Sequence, residues 1–121
     1  MLNALRIGLL AVSLLFAQKA MAQDQVFLSV LDDVPLMAGL TESPDDSVRF
    51  DTPGGRIVEA YALGVVTKAS VLSYYKDSLP SLGWKRTAHG HYMREGEYLT
   101  VSVKMENQTA IVHFSLSPNA N

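Results

Sequence analysis

The chain has 121 residues, with 10 Lys and Arg, 12 Asp and Glu, and no Cys. That length bounds it to one small domain, and the missing thiols exclude disulfide staples, thiolate metal sites and lipid attachment through an N-terminal Cys. A net charge of −2 without a basic stripe excludes electrostatic binding of nucleic acid.

Residues 1–22 read as a secretory signal peptide. Arg6 supplies the positive start, and Ile7 to Ala17 is an apolar run of 11 residues. A helix that spans the hydrocarbon core needs roughly 20 residues, so this run addresses the chain for export and does not anchor it. Ala20-Met21-Ala22 places small residues where a signal peptidase reads, which makes Gln23 the expected new N-terminus. The expected location is the periplasm or the exterior, with no stable membrane anchor after cleavage. An exported domain without disulfides points to a bacterial periplasm. There Asn107-Gln108-Thr109 is a polar turn and not a glycosylation acceptor.

Residues 23–47 form an acidic lead segment. Over residues 23–55 seven acids face one base, a net of −6, whereas residues 56–121 carry a net of +2. Val26 to Leu31 is apolar, but six residues do not separate a strand from a helical turn. Pro35 ends the run by pushing Val34 out of helical space. Leu36 to Leu40 reads as an extended stretch docked at the core edge, and Thr41 to Ser47 as a polar turn cluster.

Residues 48–117 form the single expected domain. Val48 to Asp51 is a short strand, and Thr52-Pro53-Gly54-Gly55 a turn. Arg56 to Val66 follows as a long strand rich in Ile, Val, Tyr and Leu, which completes a hairpin. Thr67 has the hydroxyl of a helix N-cap. Val71, Leu72, Tyr75 and Leu79 recur at helical spacing as one apolar stripe. Pro80 ends or kinks that helix, Gly83 suits the left-handed position just past its end, and Trp84 then covers the end as a lid.

Beyond Trp84 the period changes to two. Trp84 to Ala88 and His91 to Arg94 are candidate strands joined through His89-Gly90, and Glu95-Gly96 is the next turn. Tyr98 to Met105 alternates, with Leu99, Val101, Val103 and Met105 on one face and Tyr98, Thr100, Ser102 and Lys104 on the other. Thr109 to Leu116 alternates again, with Ala110, Val112, Phe114 and Leu116 inward, and Ser117 to Asn121 is a frayed tail. The expected fold is α+β: a two-layer sandwich of one main helix on an antiparallel sheet, in the order strand hairpin, helix, β-meander.

Gly55 to Ala62, followed by Val71 to Trp84 with its Tyr74-Tyr75 pair and Leu79-Pro80-Ser81-Leu82-Gly83-Trp84 ending, resembles a group of small exported proteobacterial proteins of unknown function. Asp33-Val34-Pro35-Leu36-Met37-Ala38-Gly39-Leu40 matches the Pro-and-Gly lead-in of that group, and Tyr74 stands where Phe is common. The resemblance spans most of residues 33–116. It implies a helix that runs into a β-meander and carries no catalytic residue to transfer.

The candidate sites follow from residue chemistry. His89, His91 and His113 are the only imidazoles, and they define an alternative reading as a small-ligand or metal-binding module. Structural zinc asks for four ligands and catalytic zinc for three plus water, which these residues do not reach alone. The pairs Asp32-Asp33 and Asp45-Asp46 lie in polar turns, where neither member gains the dry pocket that acid–base work requires. There is no Gly-x-Ser-x-Gly elbow and no phosphate-cradling glycine loop. The expected protein is therefore not an enzyme, uses no cofactor, and binds another envelope component. Its candidate contact face is the outer side of the last two strands: Tyr98, Thr100, Lys104, Ile111 and His113.

Overall fold

A computed structural model of the chain describes residues 25–118, so the signal-peptide reading lies outside the described residues. The fold is α+β, dominated by antiparallel sheet. Strands β1 (Thr41–Glu42), β2 (Val48–Thr52) and β3 (Gly55–Gly64) precede helix α1 (Lys68–Ser78). Strands β4 (Lys85–Ala88), β5 (His91–Arg94), β6 (Glu97–Glu106) and β7 (Thr109–Pro118) follow it. Among the described residues these seven strands form one sheet in the order β1-β3-β7-β6-β5-β4, and β2 pairs with β3 beside β1.

The expected hairpin forms, with Val48 opposite Glu59 and Thr52 opposite Gly55. The turn before β6 is tight because Glu95 and Gly96 both take positive φ, 48° and 82°, the combination that matches strand twist. Two expectations are corrected. Thr41-Glu42 is a strand and not part of a turn cluster, because it finds a partner in Leu63 and Ala62 of β3. Ser117 and Pro118 are not frayed, because they continue β7 opposite Tyr98 and Glu97.

The Thr67 hydroxyl accepts the Ser70 N–H at 3.0 Å and caps α1. The α-helix stops at Ser78, and Leu79–Leu82 continues as a 3₁₀ turn because Pro80 has no N–H to donate. Gly83 closes it at φ 94°. Its N–H donates to Pro80 O and that of Trp84 to Leu79 O, each at 3.1 Å, the Schellman arrangement. Trp84 then enters the core with the Arg94 guanidinium 4.4 Å from its ring centroid.

One face of the sheet carries the core. Val58, Ala60 and Ala62 of β3, Val112, Phe114 and Leu116 of β7, and Leu99 and Val101 of β6 are all buried. Val71, Tyr75 and Leu79 descend onto that face, with the Tyr75 ring edge-on to Phe114 at 5.3 Å. Leu72 of the expected stripe is only half-buried. Met105 is 39% exposed, near the far end of β6, rather than in the core. The helix is too short to roof seven strands, so the lead segment takes part of the role. Leu28, Leu31, Val34 and Leu40 belong to the same buried cluster, and the core thus begins well before residue 48.

Polar contacts fasten the lead segment. The Tyr75 hydroxyl donates to Pro35 O at 2.7 Å and accepts the Met37 N–H at 3.1 Å. Glu42 accepts the Ser29 N–H and hydroxyl at 3.0 and 2.8 Å. Asp33 pairs with Arg94 and, at 3.1 Å, with Arg56, which also meets Glu97 at 2.8 Å. Burial pushes the Asp33 carboxyl up, but its hydrogen bonds to the two arginines and their charges outweigh that and hold it below its ordinary value. At Gly64 a Cβ would overlap Gly39 O, so only glycine lets the lead segment close against β3.

Candidate functional site

The helix leaves one flank of the core face open. Its stripe of Val71, Tyr75 and Leu79 points down. Lys68, Leu72 and Lys76, each one helical turn from the last, face sideways toward the β4–β5 hairpin. Arg86 on β4 stands opposite Tyr92 on β5, and both rise from the core side of the sheet. The groove between helix and hairpin has a volume of about 580 Å³. A recess of about 190 Å³ toward β6 shares Lys68, Leu72, His89 and Gly90 with it.

The floor is apolar, from Ala69, Leu72 and the Tyr92 ring. The rim is cationic, from Lys68, Lys76 and Arg86, and no carboxylate is among the residues that line it. Among the described residues none of the three cations is in an ion pair. Arg86 Nη2 lies 3.3 Å from His89 Nδ1, where the guanidinium donates to the ring nitrogen. Burial, helped by the charge of nearby Asp77, pushes the Tyr92 hydroxyl above its ordinary value against the charge of Arg86 and its hydrogen bond. Gly90 closes the hairpin at φ 79°, and a Cβ there would meet Val101 O at 2.8 Å. Unpaired cations around an apolar floor attract an anion with an apolar body.

The expected contact residues share the opposite face. Tyr98, Thr100 and Lys104 of β6 lie across from Ser117, Ser115 and Ile111 of β7, and His113 lies across from Ser102. Tyr98 is 39% exposed, and with Thr100 it lines a shallow polar hollow beside His91 and Thr87. Lys104 leans toward Glu106 at 3.4 Å and does not join the hollow. Around His113 the structure adds Tyr61, already a candidate for a binding surface as an aromatic, and Glu59, which sequence reasoning missed. Tyr61 stacks on the imidazole with centroids 4.5 Å apart, and Glu59 hydrogen-bonds both the imidazole and the Ser115 hydroxyl. Both come from β3, and only the β3–β7 register brings them there.

The three histidines do not converge. His89 lines the groove beside Arg86, His91 sits on the outer face within 3.5 Å of Thr100, and His113 is held by Glu59. The positive φ of Gly90 makes His89-Gly90-His91 a turn; His89 and His91 both line the smaller recess, but His89 hydrogen-bonds Arg86 and His91 lies beside Thr100, and His113 is in neither hollow. Among the described residues no group of three or more His, Asp or Glu side chains is placed to hold a metal ion.

Sequence reasoning missed the cationic groove and assigned Leu72 to the core stripe, although part of a signal was there. Lys68, Leu72 and Lys76 at intervals of four mark one helix edge, whereas Arg86 and Tyr92 reach it only through the β4–β5 pairing. No protein family, no curated protein and no solved structure matches the chain.

Proposed function

We propose that the protein is an exported, non-catalytic binding protein that works in the periplasm or outside the cell. It holds an anionic ligand with an apolar body in the groove between α1 and the β4–β5 hairpin. The single observation that carries this reading is the cationic rim of Lys68, Lys76 and Arg86 over a floor of Ala69, Leu72 and Tyr92, with no lining carboxylate. Export rests on Arg6, the short apolar run and Ala20-Met21-Ala22. Among the described residues no helix is long and apolar enough to cross a membrane. The α1 helix and the lead segment together act as the second layer of a two-layer sandwich, and the groove is the gap in that layer.

The test is titration of the purified protein with dodecanoate, followed by amide chemical shifts. Dodecyltrimethylammonium is the control with the opposite charge. The expected result is saturable shifts at Lys68, Leu72, Arg86 and Gly90 with dodecanoate alone. Equal response to both amphiphiles, or shifts confined to other regions, overturns the anion reading.

A second reading has an observation of its own. Tyr98, Thr100, Lys104, Ile111 and His113 occupy one sheet face with the stacked Tyr61 beside them, and such a mixed aromatic and polar face suits an envelope protein partner. Crosslinking from position 98 in the native envelope tests it. A partner that is captured equally well from position 72 would assign the contact to the groove side instead.

A further inference from the structure

We propose that strand β2 is a docking edge for a second copy of this chain, paired antiparallel about a two-fold axis at Phe50. The proposal does not depend on the groove. It starts from the hairpin. Thr52 pairs with Gly55 across a two-residue connection, so this is a hydrogen-bonded pair. Antiparallel alternation then turns the N–H and C=O groups of Val48, Phe50 and Thr52 toward β3. Those of Arg49 and Asp51 point outward, along an edge that no other strand covers among the described residues.

Only outward groups can bond a new strand, so the possible registers are few. Arg49 opposite Arg49 of the second copy sets like charges together, and Asp51 opposite Asp51 does the same. Arg49 opposite Asp51 sets opposite charges together twice over, and it uses all four outward N–H and C=O groups of each β2. The two Phe50 residues then form the closer, non-hydrogen-bonded pair at the axis. Phe50 is 51% exposed and Val48 48% exposed on the outer sheet face, so apolar surface is free to be covered there. Neither Arg49 nor Asp51 has an ion pair within the chain among the described residues.

The opposite edge of the sheet makes the contrast. β4 carries two charges of one sign, Lys85 and Arg86, and a register irregularity between Arg86 and Ala88, which set like charges and a broken ladder against a second copy. β2 has no proline and no bulge, and its register runs unbroken from Val48 to Thr52. Five paired residues place the contact at the small end of interface sizes, so a reversible, concentration-dependent dimer is expected.

Sedimentation velocity from roughly 10 μM to roughly 1 mM tests this, because small interfaces of this kind associate in that range. The expected result is a monomer–dimer equilibrium. In it the Arg49 and Asp51 amides exchange fast in dilute protein and slow at high concentration, while the Phe50 amide is slow throughout. Arg49→Asp is expected to weaken the dimer at least tenfold, because it places two like-charged pairs across the axis. Adding Asp51→Arg is expected to restore it. A monomer at every concentration overturns the proposal. So does a dimer that is indifferent to Arg49→Asp while the variant keeps its melting temperature. If the single variant fails to fold, the charge-swapped double variant decides: it restores the contacts and must dimerise.

Discussion

Replacing Tyr75 with Phe removes one oxygen and leaves the ring in place. That oxygen donates to Pro35 O at 2.7 Å and accepts the Met37 N–H at 3.1 Å. The side chain is fully buried, so water does not readily replace it. A buried group left without its partner costs about 1–3 kcal/mol, and two backbone groups lose theirs together. The ring keeps its edge-on contact with Phe114, so no cavity term of the kind that follows truncation to Ala is added. The expected cost is about 2–4 kcal/mol, a large share of the roughly 5–15 kcal/mol of a small domain. For a chain of this size that lowers the melting temperature by roughly 10–25 °C. Thermal unfolding followed by near-ultraviolet circular dichroism measures the loss. Amide exchange at Met37 tests its cause, because that amide should lose protection more than those of β6 and β7. A Tyr75→Phe protein that melts within about 2 °C of the parent, with the Met37 amide still protected, refutes the reasoning. Alkali gives an independent check. Burial pushes the Tyr75 hydroxyl well above its ordinary value of 10.0, so the folded state holds its proton where the unfolded state releases it. The stabilisation is complete below that ordinary value and is lost as pH rises past it. The Tyr75→Phe variant should lose less stability than the parent across that range.

Asp33 acts at the other end of the scale. Its carboxyl is held below its ordinary value of 3.8, so its contribution is present above that pH and is lost as pH falls through the lowered value. Acid unfolding of Asp33→Asn should start from a lower plateau and show a shallower pH dependence than the parent; superimposable curves contradict the role given to the Arg56–Asp33–Arg94 cluster. Gly64→Ala should destabilise by about 1–3 kcal/mol or more, because the new methyl meets the Gly39 carbonyl, and urea unfolding with unchanged slope measures it. Reversing Lys76 or Arg86 to Glu should weaken dodecanoate binding roughly three- to tenfold and flatten its dependence on salt, with unchanged melting temperature. Binding that ignores both reversals removes the groove as the site.

Much of the architecture was legible because each local signal had one mechanism behind it. Thr67 had a capping oxygen, Pro80 lacked an N–H, and Gly83 tolerated positive φ, so both ends of the helix region were readable. The alternation of Leu99, Val101 and Val103 against Thr100 and Ser102 read as one sheet face against the other. Thr41-Glu42 was misread because two residues have no period of their own; their strand character comes from Leu63 and Ala62. Met105 lies on the expected face opposite Ala110, but its exposure was not legible, because alternation assigns a face and says nothing of where the covering helix ends. Of the five expected contact residues, face and neighbourhood were legible. The company of His113 was not, because Glu59 and Tyr61 lie more than fifty residues away in sequence.

The chain by itself determined what is written in short-range chemistry: the caps, turns and stops, and which side of each strand is apolar. These depend on a residue and its near neighbours, through φ restriction, missing donors and periods of 2 and 3.6. The proposed export address is of the same local kind. Tertiary structure alone decided that the lead segment is core, since Leu28, Leu31, Val34 and Leu40 have nothing to bury against until sheet and helix meet. It also decided that Lys68, Lys76 and Arg86 share one groove and that β2 is left at an edge. Such features are set by strand order and by how far one short helix reaches across a wide sheet, and no local pattern encodes either.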